Sequence, residues 1–462
     1  MDRKIVSVFI FVLFLIPFIS QPVNAQEETP TIAQYVVQPG DTLSKIAIRF
    51  NISVEELASE NGINNPNQLF VGDVLGLPGV DWFDGVLTVI DVPVGETYKS
   101  LRRRYHLGEE VISRAGGVIS PSQVYAGYPL MLPTGIGEDY DSARAAISSV
   151  ESLLGVASRM GENPWAIAAS NQISDPWLGL RGDVLFLPGT NQPGPGALPS
   201  PLSVEVTKGD FIQGKTTVIE IGAEGKEIEL SGELLGHPLN FFEYNNKYVA
   251  LQGVHVMTRP GPYMLTINGK MEDGSDFSFS QLVRVQSGGY ERERISVDPA
   301  FLDREVDNAE TAFISNITSQ VTPERLWAGF FEKPTPFEIY VNSFFGTRRS
   351  YNGSDYTYFH SGIDFGGGQG AEVISPAVGR VVFSGFLEIR GNATIIDHGW
   401  GIFTGYWHQS EIYVQDGDLV SPGQIIGRVG NTGRSSGAHL HWEVWAGGVQ
   451  VEPFDWLVDI YP

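Results

Sequence analysis

The sequence predicts a multidomain chain: three small α+β units of βααβ order, an all-β sandwich, and a C-terminal, mainly antiparallel β domain. Three observations predict this. One motif recurs at a constant spacing in the N-terminal part. After a Pro-Gly stretch the apolar pattern switches to period two. Five of the eight histidines then fall between His360 and His441.

Taken in order, residues 1–25 read as a secretory signal. Arg3 and Lys4 form the charged start, Ile5 to Ile19 the apolar core, and Val23-Asn24-Ala25 the cleavage pattern. The apolar run is short and Pro17 interrupts it, so no stable membrane span is expected once the signal is removed. The chain has no cysteine, which excludes disulfides, a cysteine nucleophile and thiolate metal sites. The formal charge of −24 repels phosphate backbones, so nucleic acid is not an expected partner.

The repeat is carried by Gly72 to Pro78, Gly127 to Pro133 and Gly182 to Pro188. At the same spacing Leu43, Tyr98 and Leu153 align, as do Ile46, Leu101 and Val156. Each unit begins as a strand, turns, and enters a helix whose apolar positions form one face. Ser53 and Glu56 predict a capping box on a second short helix. A closing strand follows. The units occupy 34–79, 87–134 and 140–189.

With YVVQPGDTLSKIA and VEELASENGI, the first unit resembles a LysM module. The resemblance implies binding of N-acetylglucosamine-containing glycan between two loops, here Gly40, Asp41 and Thr42 facing Ile63 and Asn64. The second unit departs from it with Glu96 and Gly116, and the third with Val150-Glu151-Ser152. Both are expected to keep the fold; glycan binding is expected of the first.

Residues 190–201, rich in Pro and Gly, read as a linker. From 202 to 287, Val204–Val206, Thr217–Ile221 and Tyr263–Ile267 alternate with period two between Gly, Asp and Asn turns. This is the pattern of an immunoglobulin-like sandwich, by analogy of fold, with a spacing or docking role. Residues 288–335 read as a helical connector. Its apolar face is Leu302, Val306, Ala309, Phe313 and Ile317; its polar face includes Asp303, Glu305, Asp307 and Glu310.

The last domain, 336–462, carries FHSGIDFGGGQG, IIDHGWGIFTGYWHQS and GNTGRSSGAHLHWEV. Imidazole and carboxylate are usual ligands of catalytic zinc. His439 and His441 sit two apart on a strand-like run and would face one way. Glycines around His360 and Asp364 argue for a loop and a short strand rather than a helix. These residues, with SFFGTRR before them and VSPGQIIGRVGNTG between, resemble the lysostaphin-type (LytM-type) zinc metallopeptidases of peptidoglycan. The resemblance implies one zinc on His360, Asp364 and His441, with His439 and His408 as catalytic, non-ligand histidines. His439 is the better base, and His408 assists with the oxyanion or shares the proton. Gln409 stands where leucine is usual, and His398 reads as scaffold. Glu443 could orient an imidazole. SFFGTRR either contacts substrate or braces the site.

The expected function is a secreted, cell-wall-associated peptidoglycan endopeptidase, monomeric and targeted by LysM. The alternative is a non-catalytic LysM/LytM-like regulator that activates wall amidases; such proteins lose zinc ligands, and here the full set is present.

Overall fold

A computed structural model describes residues 33–65, 68–134, 143–188, 196–296, 304–336, 340–366 and 368–462. The expected leader and residues 190–195 of the expected linker lie outside these.

The first unit runs β1 (Gln34–Val36), α1 (Leu43–Phe50), α2 (Val54–Glu60), β2 (Val74–Gly76). Thr42 caps α1 through the Lys45 amide, and Ser53 and Glu56 close the capping box on α2. Leu43, Ile46, Ala47 and Leu57 bury their side chains against Tyr35 and Leu75. The second unit runs β3 (Val86–Asp91), α3 (Tyr98–Arg104), α4 (Glu109–Gly116), β4 (Tyr125–Ala126), β5 (Pro129–Thr134). The third runs β6 (Arg144–Ala146), α5 (Leu153–Met160), α6 (Pro164–Ser170), β7 (Val184–Phe186).

One asparagine staples the helix end to the closing strand. Asn61 donates to the carbonyls of Leu57 and Gly76 at 2.8 Å each and accepts from the Gly76 amide at 2.7 Å. Asn171 repeats this with the Ile167 carbonyl and both backbone groups of Phe186, and is 3% exposed. In the second unit Gly116 replaces it, and a Cβ there would sit 2.7 Å from Leu130 Cδ1. The staple is exchanged for closer packing of helix on strand.

The sandwich holds β8 (Ser203–Lys208), β9 (Thr216–Gly222), β10 (Glu229–Leu234), β11 (His237–Leu239), β12 (Phe242–Tyr244), β13 (Lys247–Gly253), β14 (Gly261–Lys270) and β15 (Asp276–Val285). One sheet has the order β11-β10-β14-β15 and continues into β4 of the second unit; the other is β12-β13-β9-β8. The alternating apolar residues of both sheets meet in one core around Ile219, Leu265 and Phe279.

The second and third units are docked on this sandwich. Gln281 donates to the carbonyls of Pro93 and Glu96 at 2.8 and 2.7 Å and accepts from the Gly95 amide. Glu96, 1% exposed, pairs with Arg104 and accepts from the Gly196 amide at 3.1 Å. The loop of the second unit that corresponds to Gly40–Thr42 is therefore closed by the sandwich and by the end of the linker. Leu198, within the expected linker, is 1% exposed in the sandwich core, so residues 196–201 are packed rather than free. Arg159 of the third unit pairs with Asp273 at 2.8 Å.

Two features of the connector differ from expectation. It opens with a strand, β16 (Arg292–Ile295), paired in parallel with β18 (below). Its helix, α7 (Arg304–Thr318), buries Glu310, Ile314 and Thr318, whereas Phe313 is 43% exposed. Glu310, assigned to the polar face, turns inward because Arg390 pairs with it at 2.9 Å and the Ile389 amide donates to it at 2.8 Å.

The last domain contains β17 (Tyr340–Ser343), β18 (Arg348–Tyr351), β19 (Tyr358–Phe359), β20 (Ile363–Gly366), β21 (Glu372–Ile374), β22 (Gly379–Leu387), β23 (Gly391–Gly399), β24 (Ile402–Ile412), β25 (Leu419–Val420), β26 (Ile425–Val429), β27 (Leu440–Ala446), β28 (Val449–Val451) and α8 (Pro453–Val458). Its main sheet has the order β17-β20-β27-β24-β23-β22-β25, antiparallel throughout.

Val218, Val249, Leu251 and Val256 of the sandwich share one apolar core with Ile363, Trp442 and Trp456 of this domain. Phe242 stacks on Trp400 at 4.9 Å. Arg325 lies 4.7 and 4.8 Å over the rings of Tyr244 and Trp327, and donates to the Tyr461 carbonyl at 2.9 Å. Lys215 pairs with Asp455 at 2.8 Å, and the Glu452 amide donates to the Gly214 carbonyl at 2.7 Å. Of the two roles expected for the sandwich, docking is the one this geometry supports.

Two outcomes are expected. Asn171→Ala strands backbone groups of Ile167 and Phe186 in a buried site, and should lower unfolding free energy by roughly 2–4 kcal/mol in a denaturant titration. Glu452, at the junction, has its carboxyl pushed up to about 7, chiefly by burial, with Lys215 opposing and Asp455 adding. The folded state thus holds a proton that the unfolded state releases above pH 4.5, so this carboxyl costs stability as pH rises from about 4.5 to about 7. Glu452→Gln should flatten that part of a Tm-versus-pH curve; an unchanged slope would refute the assignment.

Candidate active site

β20 and β27 pair with Asp364 opposite His441. Neighbouring residues on paired strands share a face, so the ladder itself sets the carboxylate beside the imidazole. His360 arrives from the turn before β20. The three groups converge: His360 Nε2 lies 3.0 Å from Asp364 Oδ1 and 3.0 Å from His441 Nδ1, and His441 Nδ1 lies 2.7 Å from Asp364 Oδ1. They form the one group of three or more metal-ligating side chains found among the described residues.

The remaining ring nitrogens fix the tautomers. His360 Nδ1 donates to the Phe344 carbonyl at 3.0 Å, with Ser343 Oγ at 3.2 Å. A carbonyl can only accept, so the free lone pair of His360 is on Nε2, which points at the cluster. His441 Nε2 lies 3.0 Å from Glu443 Oε1, and Glu443 also accepts from Trp407 Nε1 at 2.9 Å and Ser361 Oγ at 2.8 Å. Glu443 is 3% exposed and orients His441 so that Nδ1 faces inward.

The field at this point calls for a cation. Burial would raise the Asp364 carboxyl, but hydrogen bonds and charge from His360 and His441 outweigh it and hold it far below the usual range. Burial likewise opposes a charge on His441, yet Asp364 and Glu443 push its imidazole up to about 9. The donor set suits zinc: two imidazoles and a carboxylate on one point, with each imidazole's second nitrogen tied down. Tetrahedral bonds of about 2.0–2.2 Å separate ligand atoms by roughly 3.3 Å, slightly more than the spacing here.

Two further imidazoles stand beside this cluster. The His439 ring is 4.9 Å from that of His408, and His439 Nε2 is 3.6 Å from Asp364 Oδ1. His439 Nδ1 donates to the Gly437 carbonyl at 2.8 Å, leaving its lone pair on Nε2. His408 reaches the site by a break in β24. Trp407 pairs with His441, so regular alternation would send His408 to the opposite face. Instead His408 has φ +63°, and the β23–β24 register shifts between Asn392/Gln409 and Thr394/Tyr406. Such a bulge re-aims a side chain. His408 Nδ1 then donates to the Thr432 carbonyl at 2.8 Å, and burial, with the charge of His441, pushes its pKa down to about 3.

The five residues expected to bind zinc or act in catalysis, His360, Asp364, His408, His439 and His441, therefore meet at one point. His398 lies apart, bonded to the Val378 carbonyl and Thr404, and Gln409 bonds Thr394 and Tyr406. The sequence reading missed the carbonyls of Phe344, Thr432 and Gly437, since backbone partners leave no side-chain signal. The stretch around SFFGTRR, 342–358, carries β18 and the start of β19. In the first unit, Asp41 is held by Tyr35 and the Gln38 amide, and Thr42 caps α1, so both have structural duties. Gly40 and Asn64 are exposed and Ile63 half-buried.

Residues 358–453 match Peptidase family M23, and residues 35–78 match the LysM domain. The chain carries an M23 peptidase domain and a LysM domain. A DD-carboxypeptidase/endopeptidase Mpg of Neisseria meningitidis is 43% identical over 94 residues, 20% of this chain and 22% of that protein. The peptidoglycan DD-endopeptidase ShyA of Vibrio cholerae is 36% identical over 121 residues, 26% of this chain and 28% of that protein. This chain thus spans about a quarter of the length of these curated relatives. A crystal structure of a putative peptidase M23 from Pseudomonas aeruginosa aligns over 55% of this chain and 96% of its own, at 22% identity and TM-score 0.41.

Substitution should separate the two histidines of the HLH run. His441→Ala removes a cluster atom and should abolish stoichiometric zinc in metal analysis. His439→Ala should leave zinc content near wild type. The reverse pattern would overturn the division of roles.

Proposed function

We propose that the chain is a secreted peptidoglycan hydrolase, a zinc-dependent endopeptidase that cuts peptide bonds in cell-wall stem peptides or crosslinks. The observation that carries this reading is the convergence of His360 Nε2, Asp364 Oδ1 and His441 Nδ1, with His439 and His408 beside them, in the segment that matches M23. The relatives, a peptidoglycan DD-endopeptidase among them, point to the same substrate class.

His360, Asp364 and His441 would hold one zinc. When bound, zinc polarises the scissile carbonyl and lowers the pKa of a coordinated water to about 7. His439 supplies a lone pair at Nε2 toward the cluster and takes the nucleophile's proton. His408 has the same tautomer, with Nδ1 on Thr432 and its lone pair on Nε2. A neutral imidazole in that tautomer cannot donate to an oxyanion from Nε2. Sharing the proton therefore fits His408 better than donating at rest; once protonated, it becomes a donor to the oxyanion or the leaving amine. Burial of His408 and partial burial of His439 limit competition from water in these transfers.

The same reading divides the chain into LysM-type units at 34–79, 87–134 and 140–189, an immunoglobulin-like sandwich at 202–287, a connector at 288–335 and the peptidase at 336–462. The βααβ order of each unit supports the first three. The sandwich assignment rests on strand order: the first, second, sixth and fifth strands form one sheet, the fourth, third, seventh and eighth the other. Glycan recognition falls to the first unit, through Gly40, Asp41, Thr42, Ile63 and Asn64, because the matching loop of the second is closed against the sandwich. We read the protein as extracytoplasmic, cell-wall associated and monomeric. Among the described residues no helix is long and apolar enough to cross a membrane.

Digestion of purified peptidoglycan by wild type and His439→Ala, with mass spectrometry of the fragments, tests the function. New amino termini released by wild type alone identify the bond; the variant should be slowed about 100-fold or more. Intact crosslinks with wild type, on glycan to which it stays bound, would favour a non-catalytic regulator.

A further inference from the structure

The SFFGTRR run, Ser343 to Arg349, supplies the partner of the first histidine of the cluster. Its Phe344 carbonyl accepts a hydrogen bond from His360 Nδ1. The Gly346 amide donates to the His360 carbonyl at 2.8 Å, and the His360 amide donates to the Thr347 carbonyl at 2.9 Å. His360 is thus gripped at its backbone and at its ring by one turn, 344–347. Whatever fixes that turn fixes the direction of His360 Nε2.

The turn is held from outside the peptidase domain. Tyr290, on the segment leaving the sandwich, lays its ring against Gly346, where φ is +77° and an added Cβ would lie 2.2 Å from Tyr290 Cδ1. The same ring meets Phe345 edge-on at 5.9 Å, and Phe345 is 2% exposed. The Tyr290 hydroxyl donates to the carbonyl of Gln213, in the sandwich loop between β8 and β9, at 3.0 Å. Gln213 is itself 2% exposed and receives the Gly288 amide at 3.1 Å. Beyond the turn, Arg348 donates to the Val256 carbonyl of the sandwich at 2.8 Å, and its amide donates to the Glu291 carbonyl at 2.8 Å. His255 packs edge-on against Phe359, the residue before His360, at 5.0 Å.

We propose that Tyr290 is a positioning residue of the metal site: anchored on Gln213, its ring locks Gly346 and so sets the turn that aims His360 Nε2. The sandwich is then part of the metal centre's support rather than a spacer between glycan and peptidase. This inference rests on the assignment of His360 as a zinc ligand. It places Tyr290 behind the turn, reaching His360 only through Gly346 and its neighbours. Partners that orient a liganding histidine typically carry 10–100-fold in metal affinity.

The test uses the full-length protein and chelator competition for zinc. Tyr290→Ala should weaken zinc affinity about 10-fold or more, and Tyr290→Phe, which keeps the ring on Gly346, should recover most of it. Cobalt substituted for zinc should show an altered visible absorption band in Tyr290→Ala and a near-native band in Tyr290→Phe. Should Tyr290→Ala not fold, Tyr290→Leu, which retains apolar bulk but not the flat ring, takes its place with the same expectation. Unchanged zinc affinity and an unchanged cobalt band in a folded Ala or Leu variant would overturn the proposal while leaving the metal assignment intact. A wild-type protein that binds no zinc would instead remove the assignment on which it rests.

Discussion

The structure turns on one register, the pairing of β20 with β27 that sets Asp364 opposite His441. A slip of one residue would send either side chain to the other face of the sheet. Trp442 and Leu440, which flank His441, are fully buried on the opposite side, so the hydrophobic core enforces the register that the polar cluster needs. A buried carboxylate is costly unless opposite charge and hydrogen bonds compensate it. Asp364 is surrounded by imidazole nitrogens and little else that could do so. The cluster is thus a place where fold stability and cation binding are the same requirement.

That requirement spreads outward in layers. Glu443 holds the far nitrogen of His441, and Trp407 and Ser361 hold Glu443. The turn at Ile389 and Arg390 holds the backbone of His408, since the His408 amide donates to the Arg390 carbonyl at 2.9 Å. Glu310 of α7 in turn grips both Ile389 and Arg390. A connector helix that touches no cluster atom therefore has a defined mechanical part: it fixes the hairpin against which His408 is set. Exposed ion pairs contribute little, but Glu310 is 7% exposed and receives a backbone amide as well, so this one counts for more.

Much of this was legible in the sequence, and the failures have a common cause. Period-two runs gave the strands of the sandwich, the constant spacing of Gly72, Gly127 and Gly182 gave the repeated units, and histidine placement gave the site. Each of these is a signal carried by side chains along the chain. Burial of Glu310 was not legible, because its partner Arg390 is remote in sequence and only the fold brings them together. Packing of residues 196–201 was missed for a similar reason: Pro and Gly mark irregular backbone, not exposed backbone. The backbone carbonyls that set the histidine tautomers have no signature at all. Asn61 and Glu96 illustrate a subtler loss. Glu96 stands where the first unit has Asp41 of the expected binding loop, yet it is sealed against the sandwich, whereas Asn61 staples a helix to a strand.

His408 shows why the second histidine demands a local exception. β24 must continue as a strand to pair with both β23 and β27, and Trp407 already occupies the site-facing position opposite His441. To bring a second side chain from the next residue to the same face, the strand has to abandon its alternation there. A left-handed φ at a non-glycine residue costs on the order of 1–3 kcal/mol. Surrounding contacts over-determine it: the Arg390 carbonyl takes the His408 amide, Thr432 takes the ring, and Thr432 itself donates to the Gln409 carbonyl at 2.8 Å. The close approach that permits this leaves no room at Gly391, where a Cβ would meet Thr432 at 2.3 Å. Strain at one residue is thus the direct consequence of placing two imidazoles and a carboxylate–imidazole pair around a single point on adjacent strands.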